Sequence, residues 1–329
     1  MNNQEQDWKA VVEKFPEANF LQSPKYAKMN ELIGDEVVFD DFGGAGHALM
    51  IVRDAKRGRY LEIPCGPLLN WSDKKAVRQA FSKIEKIARA KKCVFVRMRP
   101  QLIMNADNLR LLEDLGLKKS PMHLAAEHTV MIDLTKSEDT LLAEMRRQTR
   151  YEVRRAEKLG ITVTRGNGEA IFREFHNEQL KTAKRQNFVP PTLKVLLAER
   201  AAFQDDAEIY VARTSEGEAI AYGLIIRGGE EADYYEAAST ELNRKLPGAY
   251  ALLWCAIKDL KKAGYKRFNL WGIAPAGQPH HRYAGVTTFK TGFSNNIVEF
   301  VPAHDLVISR IKYVRNLIVE NIRKKKRHL

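Results

Sequence analysis

No run of apolar residues in this chain is long enough to cross a bilayer. The longest, AYALLWCAI from Ala249 to Ile257, is about half of the roughly 20 residues that a spanning helix needs. The polar N-terminus MNNQEQDWKA has no apolar stretch behind it and does not resemble a signal peptide. Cysteine is scarce: Cys65, Cys93 and Cys255 are odd in number and lack C-x-x-C spacing, which fits small buried side chains in a reducing cytoplasm. Phosphate-binding glycine patterns are missing as well. There is no G-x-x-x-x-G-K-[ST], and the glycines of FGGAGHA lack dinucleotide-loop spacing, so tight NTP or NAD binding is unsupported. No G-x-S-x-G nucleophile elbow occurs. His123 and His128 are five apart, and His280 and His281 sit in a Pro/Gly loop without thiols or paired carboxylates, so no metal site is expected.

What the chain has in quantity is positive charge. Its 329 residues carry 54 Lys and Arg against 41 Asp and Glu, a formal charge of +13. An acidic partner follows from that balance, whether nucleic acid, a nucleotide-linked substrate or an anionic membrane surface. The length suits two domains, each with its own core.

Two passages repeat one plan. ALMIVR (48–53), YLEIPCGPLL (60–69), AVRQAFSKIEKIARAKK (76–92) and CVFVRMRP (93–100) read as strand, strand, amphipathic helix and strand. AIAYGLIIR (219–227), ADYYEAAST (232–240), GAYALLWCAIKDLKKAG (248–264) and YKRFNLWGI (265–273) give the same order. The fold class expected is mixed α/β, in two copies of a unit whose helix crosses back over one sheet. A boundary near Asp133 to Glu138 divides them, with residues 1–134 and 303–329 in the first domain and 135–302 in the second. Helices are expected at Glu169 to Gln186 and Leu193 to Ala202. The last segment, Val307 to Arg323, places Ile308, Ile311, Val314, Leu317 and Ile318 on one side, a face expected to pack onto the first domain. The tail IRKKKRHL reads as solvated, with anionic lipid or RNA as other possible contacts.

Between the repeats lies EMRRQTRYEVRRAEK, from Glu144 to Lys158, expected as one helix. Leu142, Met145, Thr149, Val153 and Ala156 would then face inward. Arg146, Arg150, Arg154 and Lys158 would stack at four-residue steps, with Arg147 and Arg155 beside them. Like charges at that spacing cost a few tenths of a kcal/mol each. Two readings remain open from the residues alone: a solvated face screened by Glu152 and Glu157, or a track for phosphates.

The second repeat resembles the core of the GNAT acyltransferases, in which a turn before the helix holds the pyrophosphate of coenzyme A. The GNAT pattern [QR]-x-x-G-x-[GA] is missing from RKLPGAY, and Pro247 removes one N–H from the turn. More of the chain is covered by a second resemblance. FLQSPKYAKM, IPCGPLL, LGLKKS before a strand ending in MIDL, the arginine helix, YYEAASTELNRKLPGAYALLWCAIK, NLWGI and FKTGF before IVEFV are similar, in order, to the FemABX family of non-ribosomal peptidyltransferases, from about Phe20 to Leu306.

That resemblance implies two tandem GNAT-like domains and transfer of an amino acid from aminoacyl-tRNA to an amine of a peptidoglycan precursor's stem peptide. The precursor is UDP-linked or lipid-linked. No cofactor is implied, the chain is of the compact type without a helical arm, and a monomer is expected. The resemblance implies a catalytic role for Lys290 at the reactive end of the tRNA, with Phe289 against the terminal adenosine. Lys28 and Tyr250 match positions that contact the nucleotide-linked acceptor. The cations Arg146, Arg147, Arg150, Arg154, Arg155 and Lys158 would hold RNA phosphates, or those of the acceptor. Departures stand at Val189 and Pro191, where Thr and Arg are usual, at Arg99 in place of an aspartate, at Asn269 and Trp271, and at Pro247. A coenzyme A-dependent N-acyltransferase and a non-catalytic RNA-binding protein are the alternatives.

Overall fold

A computed structural model describes residues 3–55, 58–186, 188–278, 281 and 283–327, with side chains from residue 7 to residue 322. His280, weighed above as a metal ligand, lies outside the described residues. The chain forms two compact units, 1–127 with 299–329, and 128–298.

The first unit contains α1 (Asn3–Lys14), α2 (Pro24–Ile33), β1 (Glu36–Asp40), β2 (Gly46–Ala55), β3 (Gly58–Pro64), β4 (Leu68–Leu69), α3 (Lys74–Ala90), β5 (Phe95–Arg99), α4 (Ala106–Asp114) and β6 (Leu117–Lys119). The second contains β7 (His128–Asp133), α5 (Glu138–Glu144), α6 (Arg147–Lys158), β8 (Thr162–Gly166), α7 (Glu169–Gln186), α8 (Leu193–Phe203), β9 (Ala207–Arg213), β10 (Ala219–Gly228), β11 (Glu231–Ser239), α9 (Gly248–Lys262), β12 (Arg267–Gly272) and α10 (Ala284–Lys290). Then β13 (Ile297–Glu299) completes the second sheet, and β14 (His304–Val307) and α11 (Arg310–Arg327) return to the first unit.

The sheet orders are β1-β2-β3-β5-β14-β6, with β4 on β2, and β13-β7-β12-β11-β10-β9-β8. In each, an antiparallel hairpin (β2/β3, β10/β11) is followed by a helix and a parallel strand (β5, β12). The repeated plan is therefore present, and the fold is a pair of mixed sheets. In the first unit, α3 packs Val77, Ala80, Phe81, Ile84 and Ala88 on the sheet, the apolar positions of its amphipathic pattern. FLQSP closes β2 on β3: the buried Gln22 amide donates to Pro64 O at 2.6 Å and accepts from Leu49 N at 2.8 Å.

Three expectations are corrected. The boundary falls at Glu127/His128, because HTVMID pairs with β12 and β13 and belongs to the second sheet. The arginine segment is two helices, broken where Met145 (ψ 148°) and Arg146 (ψ 144°) are extended. Helix α11 does belong to the first unit, but it docks through Tyr313, whose hydroxyl donates to Asp305 at 2.9 Å, and through Glu320, which pairs with Arg97 at 2.8 Å. Ile311, Val314 and Ile318 stay 90%, 53% and 56% exposed.

Candidate active site

Strands β11 and β12 run parallel and pair over three positions, from Glu231/Arg267 to Asp233/Asn269. There they part. A bulge in β12 shifts its register on β7, and at its centre Trp271 adopts φ +62°, a left-handed conformation costly for a bulky side chain. Asn269 fixes this bend by accepting from Trp271 N at 2.9 Å, and the Tyr235 and Trp271 rings meet edge to face at 5.4 Å.

Lys290 ends α10 beside this bend. It is 7% exposed, and its Nζ donates to Gly272 O at 2.9 Å and sits 5.8 Å from the centre of the Tyr234 ring. Burial pulls its ammonium down to about 7. On the next position of the helix, Phe289 joins Tyr250 and Phe293 in an aromatic trio with centroids 5.0, 5.4 and 5.9 Å apart. Burial, with Glu152 behind it, raises the Tyr250 phenol.

The cations of α6 begin beside this segment. Arg146 N donates to Gly292 O at 2.8 Å and its guanidinium to Thr291 Oγ1 at 2.9 Å. Gly292 is required by the approach: a Cβ there would lie 2.2 Å from Thr149 Oγ1. The inward face is as the spacing predicts, with Met145, Thr149, Val153 and Ala156 buried. The outward row is not uniform. Arg150 folds back on the end of α5, donating to Ala143 O at 2.9 Å and to Met145 O, so it satisfies carbonyls that the broken helix leaves open. Arg155 binds Glu152 and Lys245 O, each at 3.0 Å. Arg147, Arg154 and Lys158 are exposed, and with Arg150, Arg155 and Tyr151 they line a surface concavity of about 530 Å³.

Lys28 lies in the first unit, exposed on α2. Val189 is 86% exposed in the loop before α8. Arg99 is buried in the first unit, with its guanidinium on Gln101 and Cys65 and over the Phe300 ring at 4.7 Å. At the start of α9, Gly248 N binds Leu246 O at 2.9 Å and Ala249 N binds Asn243 Oδ1 at 3.0 Å. Pro247 has no N–H, so the turn that would cradle a pyrophosphate is filled by the chain's own acceptors. Among the described residues, no three His, Cys, Asp or Glu are placed to hold a metal ion. No helix in them is long and apolar enough to cross a membrane.

Sequence reasoning missed a polar cluster on the other face of this sheet. A bulge between Tyr234 and Glu236 turns Tyr234 toward α9 and Glu236 toward α7. Gln179 of α7 donates to Glu236 Oε2 at 2.6 Å, and Glu199 of α8 is 2% exposed. Burial pushes Glu236 up to about 7, and burial together with the Glu236 charge pushes Glu199 well above the carboxylate range. A glutamate inside the strand YYEAAS was the visible signal.

The FemAB family model matches residues 4–218 and 214–320. Lipid II:glycine glycyltransferase of Staphylococcus aureus is 26% identical over 238 residues, covering 67% of this chain and 56% of that protein; the chain thus spans little more than half the length of the curated relatives it matches. Among solved structures, FemX superposes with a TM-score of 0.84 at 18% identity, covering 97% of this chain and 99% of that one. The C-terminal domain of a putative lysylphosphatidylglycerol synthetase from Agrobacterium fabrum gives 0.58 at 14% identity, covering 96% and 97%. The superpositions bear on the fold alone; with the family model matching most of the sequence, the chain belongs to the FemAB family.

Proposed function

We propose that the chain moves an aminoacyl group from aminoacyl-tRNA to an amine of a peptidoglycan precursor's stem peptide, as a cytoplasmic enzyme without a cofactor. One observation carries the reading: an outward set of cations, Arg147, Arg154 and Lys158, on a helix whose preceding residue, Arg146, is hydrogen-bonded to Thr291 and Gly292, the residues after Lys290. Such cations hold phosphates without reading bases. Arg146, Arg150 and Arg155 serve first as brackets for that helix and contribute charge behind it.

An aminoacyl ester is already activated, so the protein needs to align it, bind the developing oxyanion and move protons. Protonated Lys290 has three N–H donors and spends one on Gly272 O, leaving two for the oxyanion. Phe289 and Tyr250 offer flat apolar surface to the terminal adenosine and to the acceptor, and Lys28 offers a cation to acceptor phosphates. The name of the Staphylococcus aureus relative favours a lipid-linked acceptor. The exposed row Ile311, Val314 and Ile318, flanked by Arg310, Lys312 and Arg315, suits peripheral contact with an anionic lipid surface.

A coenzyme A-dependent reaction is disfavoured by the occupied turn before α9. The test is incubation with charged, radiolabelled tRNA and purified UDP-linked and lipid-linked precursors. Label appearing in a precursor and resisting mild base supports the reading. Label that stays on tRNA indicates RNA binding alone, and transfer that needs acetyl-CoA overturns the donor.

A further inference from the structure

We propose that the oxygens of Gln179, Glu199 and Glu236 form a subsite for a primary ammonium, and that Glu236 takes the first proton from that amine. The role in transfer rests on the reading above and names the acceptor amine's place in it; the ammonium subsite itself does not depend on that reading.

The observation is a pair of buried oxygens without hydrogen-bond partners. Glu199 Oε2 and Gln179 Oε1 are buried and have no hydrogen-bond partner. Gln179 belongs to the cluster, since its Nε2 is bonded to Glu236. Among the described residues no Lys or Arg pairs with Glu199 or Glu236, and the nearby cations Lys181 and Arg185 are engaged by Glu178 at 3.0 and 3.5 Å. Buried polar atoms left unpaired are costly, and burial beside Glu236 raises that cost for the ionised form of Glu199. A primary ammonium supplies what is missing, three N–H donors on one compact cation. Glu236 is partly exposed, whereas Glu199 is buried.

Position gives the cluster its use. The backbone pairing of a sheet separates its two faces, and between β11 and β12 that pairing stops at Asp233 and Asn269. Lys290 stands over Tyr234 on one face of β11, and Glu236, two residues on, faces α7. On this proposal an ester held on the Lys290 side and an amine held on the α7 side meet where that pairing stops. The amine arrives as R–NH3+ and gives one proton to the Glu236 carboxylate. Its nitrogen lone pair forms the bond to the ester carbon, the carbonyl oxygen takes the negative charge, and collapse breaks the bond to the ribose 3′ oxygen. The second nitrogen proton goes to that oxygen, giving amide and free hydroxyl, and Glu236 releases its proton to water.

The probe is propylammonium chloride, added to the full chain labelled with 13C at glutamate Cδ, with propanol and sodium chloride as controls. Carboxyl signals lost in Glu199→Gln and in Glu236→Gln identify the two residues. Both should move with propylammonium at millimolar levels and with neither control, and each substitution should abolish the response of the other. Signals that stay still, or a response that persists in Glu236→Gln, overturn the subsite. In the transfer assay Glu236→Gln should lower kcat/KM for the acceptor by about 100-fold or more, the usual scale of proton-transfer catalysis, with KM for aminoacyl-tRNA unchanged. It should melt no lower than the parent, because it removes one of two facing buried carboxylates. Propylammonium binding without any transfer leaves the subsite standing and defeats the aminoacyl reading. Normal transfer by Glu236→Gln with silent carboxyl signals does the reverse.

Discussion

Lys290 is costly to keep. Its folded value near 7 lies below the usual 10.5, so between those pH values the unfolded chain holds a proton that the folded chain lacks. Stability contributed by the neutral form is therefore lost as pH falls from about 10.5 to about 7, a difference on the order of 5 kcal/mol. Lys290→Met should abolish transfer, melt at or above the parent at pH 7, and flatten the rise in melting temperature between pH 7 and 10; thermal denaturation of both proteins across that range checks it. If the ammonium is the form that acts, kcat should fall as pH rises through about 7. Gly292→Ala should cost about 1–3 kcal/mol in denaturant unfolding and reduce transfer, because its Cβ would displace Thr149 and with it the start of α6. FKTGF singles out Lys290 in the sequence, but the burial of that lysine is not legible there. A lysine at the end of a short helix gives no pattern until the carbonyl of Gly272 and the ring of Tyr234 are placed around it.

At the scale of elements, the arginine segment divides by task. Replacing Arg147, Arg154 and Lys158 with Gln should leave the melting temperature unchanged and reduce the slope of log K against log salt for tRNA by about 2–3, as three lost phosphate contacts require. Arg150→Met should instead lower stability, by roughly 1–2 kcal/mol, since it uncovers the carbonyls at the end of α5. The four-residue spacing could not show this difference: it makes Arg150 and Arg154 equivalent, whereas the break at Met145 gives one of them carbonyls to cap. Helix α11 holds a similar lesson. Its apolar periodicity was plain, but Tyr313 and Asn316 were not counted on that face, and their burial rotates the isoleucines outward. Ile311→Ser with Ile318→Ser should weaken sedimentation with phosphatidylglycerol vesicles and leave binding to phosphatidylcholine vesicles at its low base level.

For the whole molecule, the repeated order of hairpin, helix and strand was readable because each segment keeps its period: 219–227 against β10 at Ala219–Gly228, and Glu169 to Gln186 matching α7. The ends of the units were less so, since HTVMID carries the alternation of a strand in either sheet and only its partners assign it. The return of β14 has a consequence for biosynthesis. That strand lies between β5 and β6, and Asp305 meets Arg97 across 208 residues of chain. The N-terminal sheet can therefore close only after Val307 has emerged from the ribosome, whereas residues 128–298 bring their own core and become available earlier. The unit encoded in one continuous stretch should mature first, and the leading unit waits, incomplete, for its late strand.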